Sequence, residues 1–284
     1  MSKKATLTIG VVQLTSNDQL EYNVNICSQY IDKATKDGVN IIFLPENSFS
    51  MSREAAGYDE ADGSSSYYTM VDHPGVVAAQ GWAKQHGVWV VIGSIAVIEG
   101  DGQALPYNRS VVIDHEGCIV AHYDKLHLFD VELAGGERYV ESARMYAGDK
   151  AVMADTPWGG VGLSICYDVR FPHLYRDLAL AGAGILSIPA AFTVPTGRAH
   201  WHVLQRARAI ENGCFVVAAA QCGEHPGGRL SYGHSLVVSP WGEVLLDLGE
   251  APGYGVVELD LGEVKKARET LPNLRNIKEY TLPS

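Results

Sequence analysis

The chain opens on a β-α-β unit, and that unit limits the folds available to it. Leu7 to Leu14 alternates apolar and polar residues as a strand does, and Leu20 to Lys36 places Leu20, Val24, Ile31 and Ala34 at helical spacing. Gly38 closes the helix, and Asn40 to Leu44 reads as a short buried strand. Strands joined in this way build a sheet with helices packed on its face. The pattern then predicts a helix over Gly75 to His86 ended by Gly87, and a strand from Val88 through Gly93 toward Ile98. A hairpin of Asn108 to Asp114 and Cys118 to His122 follows, turning at His115-Glu116-Gly117, where glycine supplies the backbone freedom.

The second half repeats this logic. Strand Gly160 to Ile165, a helix near Leu174 to Leu180, strand Ile185 to Ile188, a helix near Ala199 to Asn212 ended by Gly213, and strand Phe215 to Ala220 follow in order. Ser235 to Ser239, Val244 to Leu248 and Gly255 to Leu259 close the chain, the first two joined by Pro240-Trp-Gly-Glu243. The same order in both halves predicts an α/β protein with two similar sheets packed face to face, although sequence repetition is weak. With 284 residues, 46% of them hydrophobic, the chain can bury one large core or two modest ones. No linker interrupts the pattern, so a single domain over 1–284 is expected. Residues 50–73 read as a polar surface loop; 124–150 form a second irregular stretch, and so long a loop inside a compact domain is usually functional.

Charge and cysteine usage narrow the class. Lys and Arg number 22 against 33 acids, a formal charge of −11, and no long basic run occurs, which argues against a nucleic-acid or anionic-membrane partner. Small-molecule chemistry is the better expectation. Cys27, Cys118, Cys166, Cys214 and Cys222 are odd in number and irregular in spacing, with no Cys-x-x-Cys, so no disulfide framework is expected. The first ten residues are too short and too β-like in their apolar stretch for a signal peptide, and no run approaches the roughly 18 residues of a membrane span. A cytoplasmic location is expected.

Three apolar runs end abruptly on chemistry-bearing residues: Glu46 after Leu44-Pro45, Lys125 after Tyr123-Asp124, and Cys166 after Ser164-Ile165. A lone cysteine at a strand end is more often a small buried hydrophobe than a nucleophile. Here Asp168 and Arg170 follow at a strand-to-helix turn, where a helix N-terminal field would favour the thiolate. Glu46 reads either as a solvated loop carboxylate or as a general base aimed from the sheet's edge, its proline fixing the exit, if burial raises its pKa. Lys125 reads either as a surface lysine or as the holder of a developing oxyanion. Ten histidines raise the question of a metal, but His200 and His202, two apart on a helix, point to different faces and no ligand motif surrounds them. No metal is expected, and His127 and His234 read as supporting hydrogen-bonders. No dinucleotide or phosphate-binding glycine motif occurs, so no cofactor is expected.

Phe43-Leu-Pro-Glu-Asn47, Tyr123-Asp-Lys-Leu-His-Leu-Phe-Asp130 and Gly162-Leu-Ser-Ile-Cys-Tyr-Asp-Val-Arg-Phe-Pro172 together resemble the nitrilase, or carbon-nitrogen hydrolase, superfamily, and the likeness runs from the first strand to Leu271. The resemblance implies a four-layer α-β-β-α sandwich of two mixed sheets with helices outside. It also implies Glu46 as general base, Lys125 as oxyanion stabiliser, Cys166 as nucleophile, and Glu141, in Tyr139-Val-Glu-Ser142, as a second glutamate positioning substrate and lysine. Relatives often carry Val-Pro-Gly in the lysine loop where this chain has Leu133-Ala-Gly135.

Thr196-Gly-Arg-Ala-His-Trp201, Arg206-Ala-Arg-Ala-Ile-Glu211, Ala218-Ala-Ala-Gln-Cys-Gly223 and Ser231-Tyr-Gly-His-Ser235 look like the Nit-type amidases, which act on ω-amides of α-keto acids. The last two segments are closer to the branch that cleaves deaminated glutathione to 2-oxoglutarate and cysteinylglycine than to the ω-amidases of 2-oxoglutaramate. The resemblance also admits a broader aliphatic amidase and a nonenzymatic scaffold of the same fold, although the intact Glu46, Lys125, Glu141 and Cys166 argue against the scaffold. For an α-keto acid amide, Arg170 is the bidentate partner of the substrate carboxylate, or else a structural ion pair with Asp168 or Asp177. Phe192 and Thr193 are expected to line the pocket. The family commonly dimerises, which implies a homodimer or higher homo-oligomer, and Leu261 to Tyr280 resembles an arm, 261–284, that could reach a partner.

Overall fold

The computed structural model describes residues 6–51, 67–100, 102–132 and 138–281. The larger part of the 50–73 loop and the Leu133-Ala-Gly135 segment lie outside the described residues. In one sheet Gly253–Asp260, Thr6–Gln13, Ile41–Phe43, Trp89–Ile98, Tyr107–Ile113 and Ile119–Asp124 stand in that order, with Tyr68–Thr69 paired onto the end of Trp89–Ile98. Thr6–Gln13, Ile41–Phe43 and Trp89–Ile98 run parallel, and antiparallel strands flank them. The other sheet runs Val244–Asp247, Leu236–Val238, Phe215–Ala218, Ala183–Ser187, Gly159–Leu163 and Met153–Thr156. It has the same plan, a parallel centre between antiparallel flanks.

Side-chain alternation stacks these sheets. Leu7, Ile9 and Val11 point into a core shared with Val161, Leu163, Ile185 and Phe215 of the other sheet. Val12 faces the opposite way, onto Cys27, Ile31 and Ala34 of α1 (Leu20–Lys36) and near Val76 and Ala79 of α2 (Pro74–His86). Helices α3 (Pro172–Leu180) and α4 (Val194–Asn212) pack on the second sheet. Gly162 lies under α3, where a Cβ would touch Leu178. The order helix, sheet, sheet, helix is the four-layer α-β-β-α sandwich that the resemblance implied. Each fully buried Ile, Leu or Phe contributes about 1.5–3 kcal/mol, so the inner faces supply much of the folding drive.

Helix α4 starts at Val194, before the expected Ala199, because Pro195 fits a first turn, where a missing N–H costs nothing. This brings Thr193 and Thr196 to the helix's N-terminal end, their hydroxyls 2.8 Å apart. At the C-terminus α5 (Gly262–Thr270) docks on its own chain: Arg268 donates to the Ala183 carbonyl at 2.7 Å and the Asn212 carbonyl at 3.1 Å. The expected arm therefore hugs its own domain through buried Leu274, and residues 275–281 are exposed. Among the described residues, no helix is long and apolar enough to cross a membrane.

Candidate active site

Cys166 begins a 3-10 turn, Cys166–Arg170, just past the end of Gly159–Leu163. Its φ of 49° lies in the left-handed region, which costs a non-glycine residue roughly 1–3 kcal/mol and persists only where neighbours enforce it. The enforcement is visible. Cys166 N–H donates to the Pro189 carbonyl at 2.8 Å, and buried Asp168 ties the turn to the segment around Lys125. One Asp168 oxygen accepts Ile165 N–H at 2.8 Å and Tyr123 O–H at 2.7 Å; the other accepts His127 N–H at 3.1 Å and lies 2.7 Å from His127 Nδ1. His127 is thus the supporting hydrogen-bonder expected, its ring stacked on Phe171 at 3.5 Å.

Glu46 leaves Ile41–Phe43 through Leu44-Pro45, and the chain there passes so close to Gly93 that a Cβ would collide with the Leu44 and Pro45 carbonyl oxygens. Lys125 follows Ile119–Asp124; its N–H donates to the Asn108 carbonyl at 3.0 Å and its carbonyl accepts Gly148 N–H at 2.9 Å. The irregular 124–150 stretch carries an unforeseen hairpin, Asp130–Glu132 with Arg138–Val140, which delivers Glu141 at the start of a 3-10 turn.

These residues meet in one cavity. Lys125 Nζ lies 3.1 Å from Glu46 Oε1, and 2.8 and 3.1 Å from the two carboxylate oxygens of Glu141. Glu46 Oε2 accepts Ala191 N–H at 2.8 Å. Asn108 Nδ2 donates to Glu46 Oε1 at 3.1 Å and Glu141 Oε1 at 3.2 Å, bridging both carboxylates, while its Oδ1 is buried without a partner among the described residues. Cys166 lines the same cavity as Glu46, Lys125, Asn108 and Glu141. The cavity, about 170 Å³, is also lined by Tyr139, Tyr167, Arg170, Phe192, Thr193 and Arg229.

Burial would raise the Glu46 carboxyl, but the Lys125 ammonium, the Cys166 thiol and the Arg229 charge together hold it below the ordinary glutamate value. Glu46 therefore rests ionised, which corrects the expectation that burial lifts it. Burial favours a neutral Lys125, yet the Glu141 and Glu46 carboxylates keep it protonated, above the ordinary lysine value. The Cys166 thiol is pushed well above its ordinary value, first by burial and then by the Glu46 charge, although Lys125 opposes this. The expected thiolate favoured by a helix field is not the resting state: Cys166 is a neutral thiol beside an ionised carboxylate.

Arg170 forms an ion pair with neither Asp168 nor Asp177. Its guanidinium nitrogens lie 3.3 Å from His200 Nδ1, and it stands 5.5 Å from the centre of the Phe192 ring at the cavity wall. Phe192 and Thr193 line the cavity as expected. Asn108, Ala191 and Arg229 were not anticipated. A buried Asn inside the apolar strand after Tyr107 was the available signal for Asn108; Arg229, which donates to the Ala191 carbonyl at 2.8 Å, sits in a glycine-rich segment that carried none.

The chain matches the Carbon-nitrogen hydrolase family over residues 8–269. It is 38% identical over 269 residues to a protein named deaminated glutathione amidase from Synechocystis sp., covering 94% of this chain and 96% of that protein. The crystal structure of the C. elegans NitFhit protein superposes with a TM-score of 0.87 at 38% identity, over 98% of this chain and 66% of that one. That of Saccharomyces cerevisiae Nit3, a member of branch 10 of the nitrilase superfamily, gives 0.83 at 27% identity, over 95% and 96%.

Proposed function

Because the chain belongs to the carbon-nitrogen hydrolase family, we propose that it is a thiol-dependent amidase that hydrolyses deaminated glutathione to 2-oxoglutarate and cysteinylglycine. The observation that carries this reading is the convergence of Glu46, Lys125 and Cys166 in a cavity that also presents Arg170 and Arg229. The Synechocystis relative named deaminated glutathione amidase, at 38% identity, supports the choice of substrate. This substrate bears a carboxylate at each end, so a cavity lined by several guanidinium groups suits it better than the monoanionic 2-oxoglutaramate.

In the proposed reaction Cys166 Sγ attacks the amide carbonyl carbon as Glu46 takes the thiol proton. The carbonyl electrons move to oxygen, where the Lys125 ammonium and the N–H of Tyr167, next to the thiol, stabilise the charge. Collapse expels the amine, which takes the proton from Glu46, and leaves a 2-oxoglutaryl thioester on Cys166. Glu46, again a carboxylate, removes a proton from water as it attacks the thioester; collapse breaks the C–S bond, releases 2-oxoglutarate, and the Cys166 sulfur takes the proton back from Glu46. Dividing amide cleavage into two easier steps is the gain from the covalent intermediate. Each oxyanion donor contributes about 3 kcal/mol to transition-state stabilisation. Arg170, one turn beyond the nucleophile, is the proposed clamp for the keto acid's carboxylate.

The test compares kcat/KM for cysteinylglycine release from deaminated glutathione with that for ammonia release from 2-oxoglutaramate. The first substrate is expected to be preferred. A clear preference for 2-oxoglutaramate assigns the chain to the ω-amidases, and inactivity on both overturns the proposal. Val203 and Ile210, exposed on α4, with Trp241 beyond the second sheet, support the further proposal of a homodimer.

A further inference from the structure

We propose a binding site for a divalent transition metal of the zinc class at His202, His234 and Asp247, outside the cavity and independent of the amidase reading. Three separate elements supply the donors. His202 projects from α4, His234 stands in the turn before Leu236–Val238, and Asp247 ends Val244–Asp247. His202 Nε2 lies 3.0 Å from Asp247 Oδ2, and His234 Nδ1 lies 2.9 Å from Oδ1 of the same carboxylate. One ligand atom from each residue falls within 4.8 Å of the others. A tetrahedral zinc ion with bonds of about 2.1 Å needs donors about 3.4 Å apart, so small side-chain rotations close the shell.

The position is built rather than incidental. His234 has a φ of 54°, a backbone strain that its N–H to the Gly249 carbonyl at 2.6 Å and the Trp201 indole N–H to its own carbonyl at 2.7 Å maintain. Tyr232 stacks on its ring at 4.5 Å. Side-chain exposures of 34% for His202, 20% for His234 and 34% for Asp247 leave solvent access for a fourth ligand. Two imidazoles with one carboxylate suit zinc, nickel or copper rather than calcium or magnesium, which demand more oxygen donors. The expectation of no metal rested on His200 and His202 diverging. They do diverge, His200 toward Arg170, but His202 finds its partners on other elements. A bound ion would pin α4 to the terminal hairpin of the second sheet. Tyr232, which also donates its N–H to the Phe192 carbonyl at 2.9 Å, links that clamp to the cavity wall.

The test uses the full chain stripped with a chelator and titrated with Zn²⁺, and with Co²⁺ for its absorption spectrum. One ion per chain, a tetrahedral cobalt spectrum without a thiolate charge-transfer band, and a higher Tm are expected, all retained in Cys166→Ser. His202→Ala and Asp247→Asn should weaken affinity at least ~10-fold and abolish the Tm rise while keeping the metal-free melt. Should either fail to fold, His234→Asn, whose side chain tolerates the left-handed backbone, gives the same readout. No stoichiometric uptake, loss of uptake in Cys166→Ser, or equal affinity in the folded variants overturns the site.

Discussion

Lys125 Nζ sits 3.1 Å from Glu46 Oε1, with the two side chains only 2% and 5% exposed. A buried pair of this kind is held by mutual dependence: removing one partner strands the other charge at a cost of about 3–5 kcal/mol. Lys125→Met leaves Glu46 and Glu141 facing each other without their shared cation. It should lower stability by about that amount and kcat by ~10²–10³, read by denaturant melts and steady-state kinetics. A variant with wild-type stability would show that the pair is not buried as described.

The Glu46 shift fixes a pH dependence. Its pKa is lowered below the ordinary 4.5, so the carboxylate proposed as the base stays ionised to lower pH, and the acid limb of kcat/KM should fall below that value rather than near a histidine's 6.5. The same shift acts on folding. Stability from Glu46 is present above the ordinary glutamate value and lost as pH falls through the lower folded value. Lys125, shifted upward, contributes fully below its ordinary 10.5 and loses that contribution only as pH rises through its higher folded value. An acid limb near 6.5 would move the base away from Glu46.

Asn108 holds both carboxylates by one amide. Asn108→Asp places a third acid against Glu46 and Glu141 and should reduce kcat by ~10²-fold or more with a measurable loss of stability. Asn108→Leu should be milder in stability, because the orphaned Oδ1 goes with it. Equal kinetics in wild type and both variants would make the bridge incidental.

Arg170→Lys exchanges a planar fork for a point charge. KM for α-keto acid amides should rise ~10-fold or more with Tm nearly unchanged, since the wild-type guanidinium has no acid partner to lose among the described residues. An unchanged KM would place the carboxylate clamp elsewhere, with Arg229 next to be tested.

Gly93 makes room for the backbone that aims Glu46. Gly93→Ala must push the Leu44 and Pro45 carbonyls aside, so kcat should fall although residue 93 does not line the cavity, with stability lowered by ~1–3 kcal/mol. Full activity would mean that Glu46 is positioned by other contacts.

Two face-to-face sheets were legible in the order of strands and of helices ending on Gly87 and Gly213, and Glu46, Lys125 and Cys166 stood out where apolar runs stop, whereas the four layers and the roles expected of those three residues were implied by the family resemblance. What the sequence concealed depends on distance along the chain. Asn108 and the Ala191 N–H reach Glu46 from 62 and 145 residues away, and no local pattern records that. The state of the thiol was misread for a related reason. A local turn suggested a helix field, whereas burial and the charge of Glu46, from a turn far away in the chain, raise the thiol. Asp168 beside the sulfur in sequence proved to be a tether to Tyr123 and His127 rather than a partner of Arg170.

The most direct test is intact-mass analysis of rapidly quenched enzyme during turnover of deaminated glutathione. A mass increase equal to a 2-oxoglutaryl thioester, mapped to Cys166 and absent from Cys166→Ala along with activity, is the expected result. Turnover by Cys166→Ala, or an acyl adduct on Cys27, Cys118, Cys214 or Cys222 instead, would contradict the assignment of Cys166 as nucleophile.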